Sequence, residues 1–337
     1  MPKVSIIVAA YNIEKYIERS LKSIIHQTLN DIEIIIVNDG STDNTLNVIE
    51  NICKKDSRVK IINKKNAGLI EARKTGFKNA TGEYVLFVDG DDWIELNTIE
   101  TLYNNSISDN IDILCYGFKY AYDSGKIVKE QSFYKEKIFH GDMLLKELLL
   151  GRVYTSIWSK FIKRTFITEN EFEFPSNISY GEDLATTLGL AINMPRTKII
   201  KDELYYYYIR NESITNQKLN KSVFEVERAI SYIEKGLINK CKMEKFLKEF
   251  EYFKYKNLYY DKVIIRNEFN SIHKELGSIW KRKKIKIYKN KFYKEFIKTK
   301  GLTTRIKCNL YNINYDLGMR FCKVYIKANN KFRIKKL

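Results

Sequence analysis

Val4-Ser5-Ile6-Ile7-Val8-Ala9-Ala10-Tyr11-Asn12 is a near-continuous apolar run that stops at two polar residues, the pattern of a strand covered on both faces. From Ile13 the period changes. Ile13, Tyr16, Ile17, Leu21, Ile24 and Ile25 follow the i, i+3, i+4 spacing of one helix face. The same strand-then-helix order recurs outward from this unit. Ile32–Asn38 precedes a helix carrying Leu46, Ile49 and Cys53, Arg58–Ile62 precedes Leu69–Lys78, and Glu83–Val88 precedes a helix near Asn97–Ser106. Ile111–Tyr116 closes the series. Such alternation predicts an α/β fold with a mostly parallel, Rossmann-like sheet flanked by helices.

Beyond Gly117 the order changes. Tyr120–Phe133 reads as a hairpin around Asp123-Ser124-Gly125, and Gly141–Leu150 as a leucine-rich helix. Ser156–Phe166 and Asp183–Ala191 are helix candidates, and Lys198–Ile209 is a tyrosine-rich long strand or strand pair. From Leu219 to about Lys300 the sequence carries helical periodicity with little Gly or Pro. The expected organisation is a catalytic domain over 1–217, with halves 1–117 and 118–217, and a helical, C-terminally polybasic region over 218–337.

The 337 residues carry a formal net charge of +18, and its distribution is uneven. Residues 281–337 hold 19 Lys or Arg against Glu295 and Asp316 alone, whereas the first 280 residues are nearly neutral. No apolar run approaches the ~18 residues of a spanning helix, and Met1-Pro2-Lys3 leads into a strand without the features of a signal peptide. Five cysteines without close pairing suit a reducing, cytoplasmic setting. His26, His140 and His273 are isolated, so zinc and Ser–His–Asp chemistry lack a motif. Neither a P-loop nor a G-x-G-x-x-G follows the first strand.

In a doubly wound sheet, ligands bind beyond the carboxyl ends of the strands. Polar residues collect at all four of the first ends: Tyr11-Asn12, Asp39-Gly40-Ser41-Thr42-Asp43, Asn66-Ala67-Gly68 with Arg73, and Asp89-Gly90-Asp91-Asp92. Any one of these alone is ordinarily a helix cap. Three carboxylates within four residues repel one another, and hard oxygen ligands without Cys or His suit Mg²⁺ or Mn²⁺ bridging a diphosphate. Asp39 is placed to accept an imide N–H from a base, Tyr11 offers a ring for stacking, and Arg73 suits a carboxylate or a phosphate.

These four segments, with Trp158-Ser159-Lys160, Gly181-Glu182-Asp183 and Tyr207 to Arg210, Ser213 and Thr215, resemble the successive signatures of glycosyltransferase family 2, with the GT-A fold. The resemblance covers about residues 1–217. It implies that Tyr11 and Asp39 hold the uracil of a UDP-sugar, that Asn66 and Arg73 line the nucleotide site, and that Asp89 and Asp91 are the D-x-D pair, Asp91 being the direct ligand of Mn²⁺ or Mg²⁺. It makes Asp183 the general base of an inverting enzyme, with Glu182 beside it, and places Arg210 and Ser213 over the diphosphate. Trp158 and Lys160 are candidate donor or acceptor contacts, with core packing and a surface charge as the plainer readings. Asp183 as a mere cap on its helix is the plainer reading there. Two positions depart from the family pattern: Ala9 stands where Pro is common, and Tyr208 where a basic residue is common.

The resemblance implies transfer of a sugar from a UDP-sugar to a cell-surface polysaccharide or lipid-linked glycan precursor. A nucleic-acid-binding protein and a nucleotidyltransferase are the alternatives. Residues 281–337 interleave their charge with nine aromatics, which suits an anionic membrane surface at the inner face of the cell membrane. Solvated helix faces packed against the body are the second reading, and nucleic acid is the partner least expected.

Overall fold

The computed structural model describes residues 1–129, 136–210, 224–265, 271–283 and 287–334. The chain divides into two compact units, Met1–Leu148 with Arg152–Asn216, and Leu149–Gly151 with Gln217–Leu337.

The first unit runs β1 (Val4–Ala10), α1 (Ile17–Ile25), β2 (Ile32–Asn38), α2 (Thr45–Cys53), β3 (Val59–Asn63), α3 (Leu69–Lys78), β4 (Tyr84–Asp89), β5 (Trp93–Ile94), α4 (Thr98–Ile107) and β6 (Ile113–Tyr122). It continues through β7 (Ile127–Lys129), β8 (Lys137–Phe139), α5 (Met143–Leu149), β9 (Lys160–Lys163), α6 (Arg164–Glu169), α7 (Glu182–Ala191) and β10 (Thr197–Ile209). The sheet order is β3-β2-β1-β4-β9-β6-β10-β5, with β7 on β6 and β8 on β10. β3, β2, β1 and β4 are mutually parallel, as the strand-then-helix alternation predicts. Every residue of β1 is buried, and each Val or Ile so placed contributes about 1.5–3 kcal/mol.

The parallel register brings Ala9 level with Val37 on one side and Asp89 on the other, so the polar ends of β1, β2 and β4 finish on one rim. Antiparallel β9 then fills the gap between β4 and β6.

β9 corrects the helix expected over Ser156–Phe166. A single 3₁₀ turn at Ile157–Ser159 leads into the strand, and a short helix follows it. The apolar spacing there satisfies a helix, but the unpaired edges of β4 and β6 need a hydrogen-bonding partner, and that tertiary demand wins. The hairpin around Asp123-Ser124-Gly125 forms between β6 and β7; its expected extension to Phe133 runs past the described residues.

β10 is one long strand with register shifts around Glu203. Its period of two splits the tyrosine run. Tyr205 and Tyr207 stack on Trp158, while Tyr206 and Tyr208 pack against Trp93.

The second unit holds α8 (Glu225–Asn239), α9 (Met243–Lys254), a π-helical turn sequence at Tyr255–Ile264, α10 (Ser271–Lys283), α11 (Lys291–Lys298), α12 (Leu302–Ile313) and α13 (Tyr315–Ile334). Of the nine aromatics in the basic segment, Phe292, Tyr293, Tyr311 and Tyr315 are buried within this unit. Part of that segment is therefore core. Among the described residues no helix is long and apolar enough to cross a membrane.

Candidate active site

The rim begins where β1 and β2 end. Asn12, in the left-handed region at φ 50°, accepts the Thr42 N–H at 2.8 Å, and its own N–H donates to Ser41 Oγ at 3.1 Å. Tyr11 beside it is half exposed, its ring open to a ligand. Asp39 lies deeper. Its Oδ1 accepts from Lys64 Nζ at 2.6 Å, and its Oδ2 from Gly68 N at 2.8 Å, with Ala67 N between them. Asp39 thus ties the β2 end to the loop before α3, and Asn66 stands exposed on that loop. Gly40 is required there, because a Cβ would fall 2.6 Å from Asn66 N at a φ of +72°. The carboxylate expected to accept an imide N–H at Asp39 already has partners within the chain, so a base would share it with Lys64.

At the end of β4 the three carboxylates do three different things. Asp89 Oδ1 meets Arg73 Nη2 at 2.7 Å, and Asp91 Oδ2 meets Arg210 Nη2 at 2.9 Å. Asp92 is fully buried and accepts from Tyr205 Oη at 2.7 Å and Tyr208 N at 2.8 Å, which fastens the turn to β10. Gly90 permits the turn, since a Cβ would strike Ile13 Cδ1 at 2.5 Å and the Ala9 carbonyl at 2.9 Å. Burial raises the Asp91 and Asp92 carboxyls above their ordinary values, and the neighbouring carboxylates push the same way.

Arg73 joins this turn to α7. The side chain is 5% exposed; Nη2 holds Asp89, and Nη1 donates to Asp183 Oδ1 at 2.7 Å. Gly181, at φ 87°, turns the chain into α7, so Glu182 and Asp183 sit in its first turn, where the helix dipole favours carboxylates. Burial and the adjacent Asp183 raise Glu182 to about 7. Burial also raises Asp183, against the opposing pull of Arg73. The group expected on the nucleotide is here held between two carboxylates.

A family model described as "Glycosyl transferase family 2" matches residues 5–170. EpsH of Bacillus subtilis (strain 168) is 31% identical over 255 residues, 75% of this chain and 74% of that one. The chain belongs to glycosyltransferase family 2. The cholesterol galactosyltransferase of Borreliella burgdorferi is likewise 31% identical, over 274 residues and 76% of each chain. The crystal structure of S. aureus TarS 1–349 in complex with UDP superposes with a TM-score of 0.61 at 25% identity, covering 75% of this chain and 72% of that one. The architecture of this glycosyltransferase is the GT-A fold, followed by C-terminal helices.

The glycosyltransferase does not bring every expected residue to the rim. Trp158 is packed between β-strand tyrosines, its ring 4.5 Å from Tyr205 and 5.6 Å from Tyr207. Lys160 is 1% exposed and spends its ammonium on Tyr154 O, Ser156 O and Ser159 Oγ. Both are structural, because a buried ammonium must satisfy its donors within the fold. Ser213 and Thr215 lie outside the described residues. Tyr205, which anchors Asp92, carries no sequence signal beyond its place in the tyrosine run.

The acidic groups fit a divalent cation. Asp89, Asp91, Asp92, Glu182 and Asp183 outnumber the three guanidiniums beside them, Arg19, Arg73 and Arg210, and the donors are hard oxygens. Among the described residues no three acidic, His or Cys side chains are grouped so as to hold a metal ion by themselves.

Proposed function

We propose that this glycosyltransferase moves a sugar from a UDP-sugar to a hydroxyl of a cell-surface polysaccharide or lipid-linked glycan precursor, with inversion at the anomeric carbon. The observation that carries the reading is the Asp89–Arg73–Asp183 bridge, which links the acidic turn at the end of β4 to a carboxylate suited to act as base. The UDP in the TarS structure supports the donor class, and the cholesterol galactosyltransferase relative supports transfer of a hexose to a hydroxyl.

Tyr11 and Asn66 are exposed on the rim for the nucleoside, with Asp39 fixing the loop beneath them. Arg210, beside Asp91, faces the diphosphate. Asp183, ionised and steadied by Arg73, takes the proton of the acceptor hydroxyl as its oxygen bonds to the anomeric carbon. The bond from that carbon to the diphosphate breaks on the opposite face, so UDP leaves and the configuration inverts. Asp91, with Asp89, would hold Mg²⁺ or Mn²⁺, whose charge would offset that developing on the leaving diphosphate.

A peripheral site on the inner face of the cell membrane is part of the proposal. Leu302, Ile306 and Ile313 on α12 and Leu317 and Val324 on α13 are exposed within the most basic segment of the chain. Apolar side chains among lysines suit an anionic lipid surface.

The first test is calorimetry with UDP, UDP-glucose, UDP-galactose, UDP-GlcNAc, UDP-GalNAc and GDP-mannose, with and without Mn²⁺. Metal-stimulated binding of a uridine donor, lost in Asp91→Ala, is expected. Asp183→Asn should keep UDP binding and lose transfer by about a thousandfold. A response to no nucleotide would remove the donor site, and full turnover in Asp183→Asn would remove the base.

A further inference from the structure

Arg19 projects from α1 into a wedge of two rings beside Asp91. Its guanidinium carbon lies 3.6 Å from the Trp93 ring centre and 4.3 Å from that of Tyr208, whose rings are 6.0 Å apart and tilted by 55°. Each ring is braced in turn. Tyr206 stacks on Trp93 at 4.9 Å, and Tyr16 packs against Tyr208 at 5.5 Å.

The guanidinium meets Asp91 through Nη2, which donates to the Asp91 carbonyl at 3.2 Å. Arg210 reaches the side chain of the same residue, Nη2 to carboxylate Oδ2 at 2.9 Å, and itself lies 5.3 Å from the Tyr16 ring. Two guanidiniums, one from α1 and one from the residue after β10, therefore converge on Asp91. Arg19 has no carboxylate within ion-pair distance among the described residues. An exposed arginine on a helix ordinarily samples many rotamers, whereas cation–π contact on two faces fixes this one in a plane. A guanidinium carries several N–H donors, and the carbonyl uses one of them. The Tyr208 hydroxyl shares another, and the fork still leaves N–H groups over for an oxyanion beside Asp91.

The acceptor such a pair fits is an oxyanion with several oxygens, since planar guanidiniums recognise phosphate through paired hydrogen bonds. We propose that Arg19 is a diphosphate-binding residue of the donor site, closing with Arg210 on the UDP moiety beside Asp91. The inference rests on the UDP-sugar reading above. It assigns to a helix outside the family signatures a direct part in holding the leaving group.

The test compares UDP and UMP affinity by calorimetry in the full chain, with Mn²⁺, for wild type, Arg19→Gln and Arg19→Lys. Thermal melting should fall by only a few degrees in Arg19→Gln, the cost of the lost ring contacts, and less in Arg19→Lys, which keeps the charge. Arg19→Gln should weaken UDP about tenfold, the scale of one charge-assisted contact, and leave UMP within about twofold. Arg19→Lys should recover only part of the loss, because an ammonium has neither the plane nor the fork. Unchanged UDP affinity in Arg19→Gln would overturn the assignment. So would a variant whose only defect is a raised acceptor KM, which would give the oxyanion to the acceptor instead. Wild type that binds neither nucleotide would sink the donor reading itself, and this inference with it.

Discussion

Arg73 and Asp183, 110 residues apart in the chain, are joined by a 2.7 Å bond from Nη1 to Oδ1, and the same guanidinium holds Asp89 with its other terminal nitrogen. One buried cation therefore fixes two carboxylates that belong to different motifs. Nothing else in the described residues bonds to its Nε, which is buried without a partner.

Arg73→Lys should separate the two tasks. An ammonium cannot span both carboxylates in the same plane, so kcat is expected to fall by about a hundredfold while the fold persists. Arg73→Ala strands two partly buried carboxylates and should cost about 3–5 kcal/mol. Chemical denaturation and steady-state kinetics read the two effects separately. A lysine variant with wild-type kcat would show that the bridge does not position the base.

Glu182 makes the site sensitive to pH. Burial and Asp183 raise its carboxyl from an ordinary 4.5 to about 7. A carboxyl raised on folding stabilises the protein fully below its ordinary value, and that contribution is lost as pH rises through the folded value. Glu182→Gln stays neutral throughout. Its stability relative to wild type should therefore increase between pH 4.5 and pH 8. A constant difference in melting temperature across that range would contradict the assignment.

The Tyr205 hydroxyl donates to Asp92 and accepts the Asp89 N–H at 3.2 Å. Removing it in Tyr205→Phe leaves a buried carboxyl short of a donor, at about 1–3 kcal/mol. The acidic turn should then loosen, and Mn²⁺-dependent UDP affinity should fall with stability. Loss of stability with unchanged UDP affinity would confine Tyr205 to the core.

The nucleotide half was legible because local period and global fold agree there. β1, β2 and α3 begin and end where their apolar spacing stops. What escaped was set by distant partners. β9 is a strand because β4 and β6 flank it, and Lys160 is buried because three acceptors from its own turn surround it. The partners of Asp39 within the chain, Lys64 and Gly68, lie beyond the next strand, out of reach of local spacing. Tyr208, which departs from the family pattern by carrying no charge, is the ring beneath Arg19, a relation no local spacing encodes.

The basic segment gives the last prediction. Deleting residues 281–337 would remove Phe292, Tyr293, Tyr311 and Tyr315 from a packed interior, so lost lipid binding would follow from unfolding alone. Leu302 and Ile313 are better targets, being 74% and 71% exposed. Their spacing, with Ile306 between, places them on one side of α12. Replacing both with Glu should leave the melting temperature unchanged and reduce co-sedimentation with phosphatidylglycerol-containing vesicles several-fold at low salt. Raised salt should weaken wild-type binding as well, because lysines near an anionic surface act within a Debye length of ~10 Å. Equal sedimentation of wild type and the double variant would mean that these helices do not meet lipid through this face.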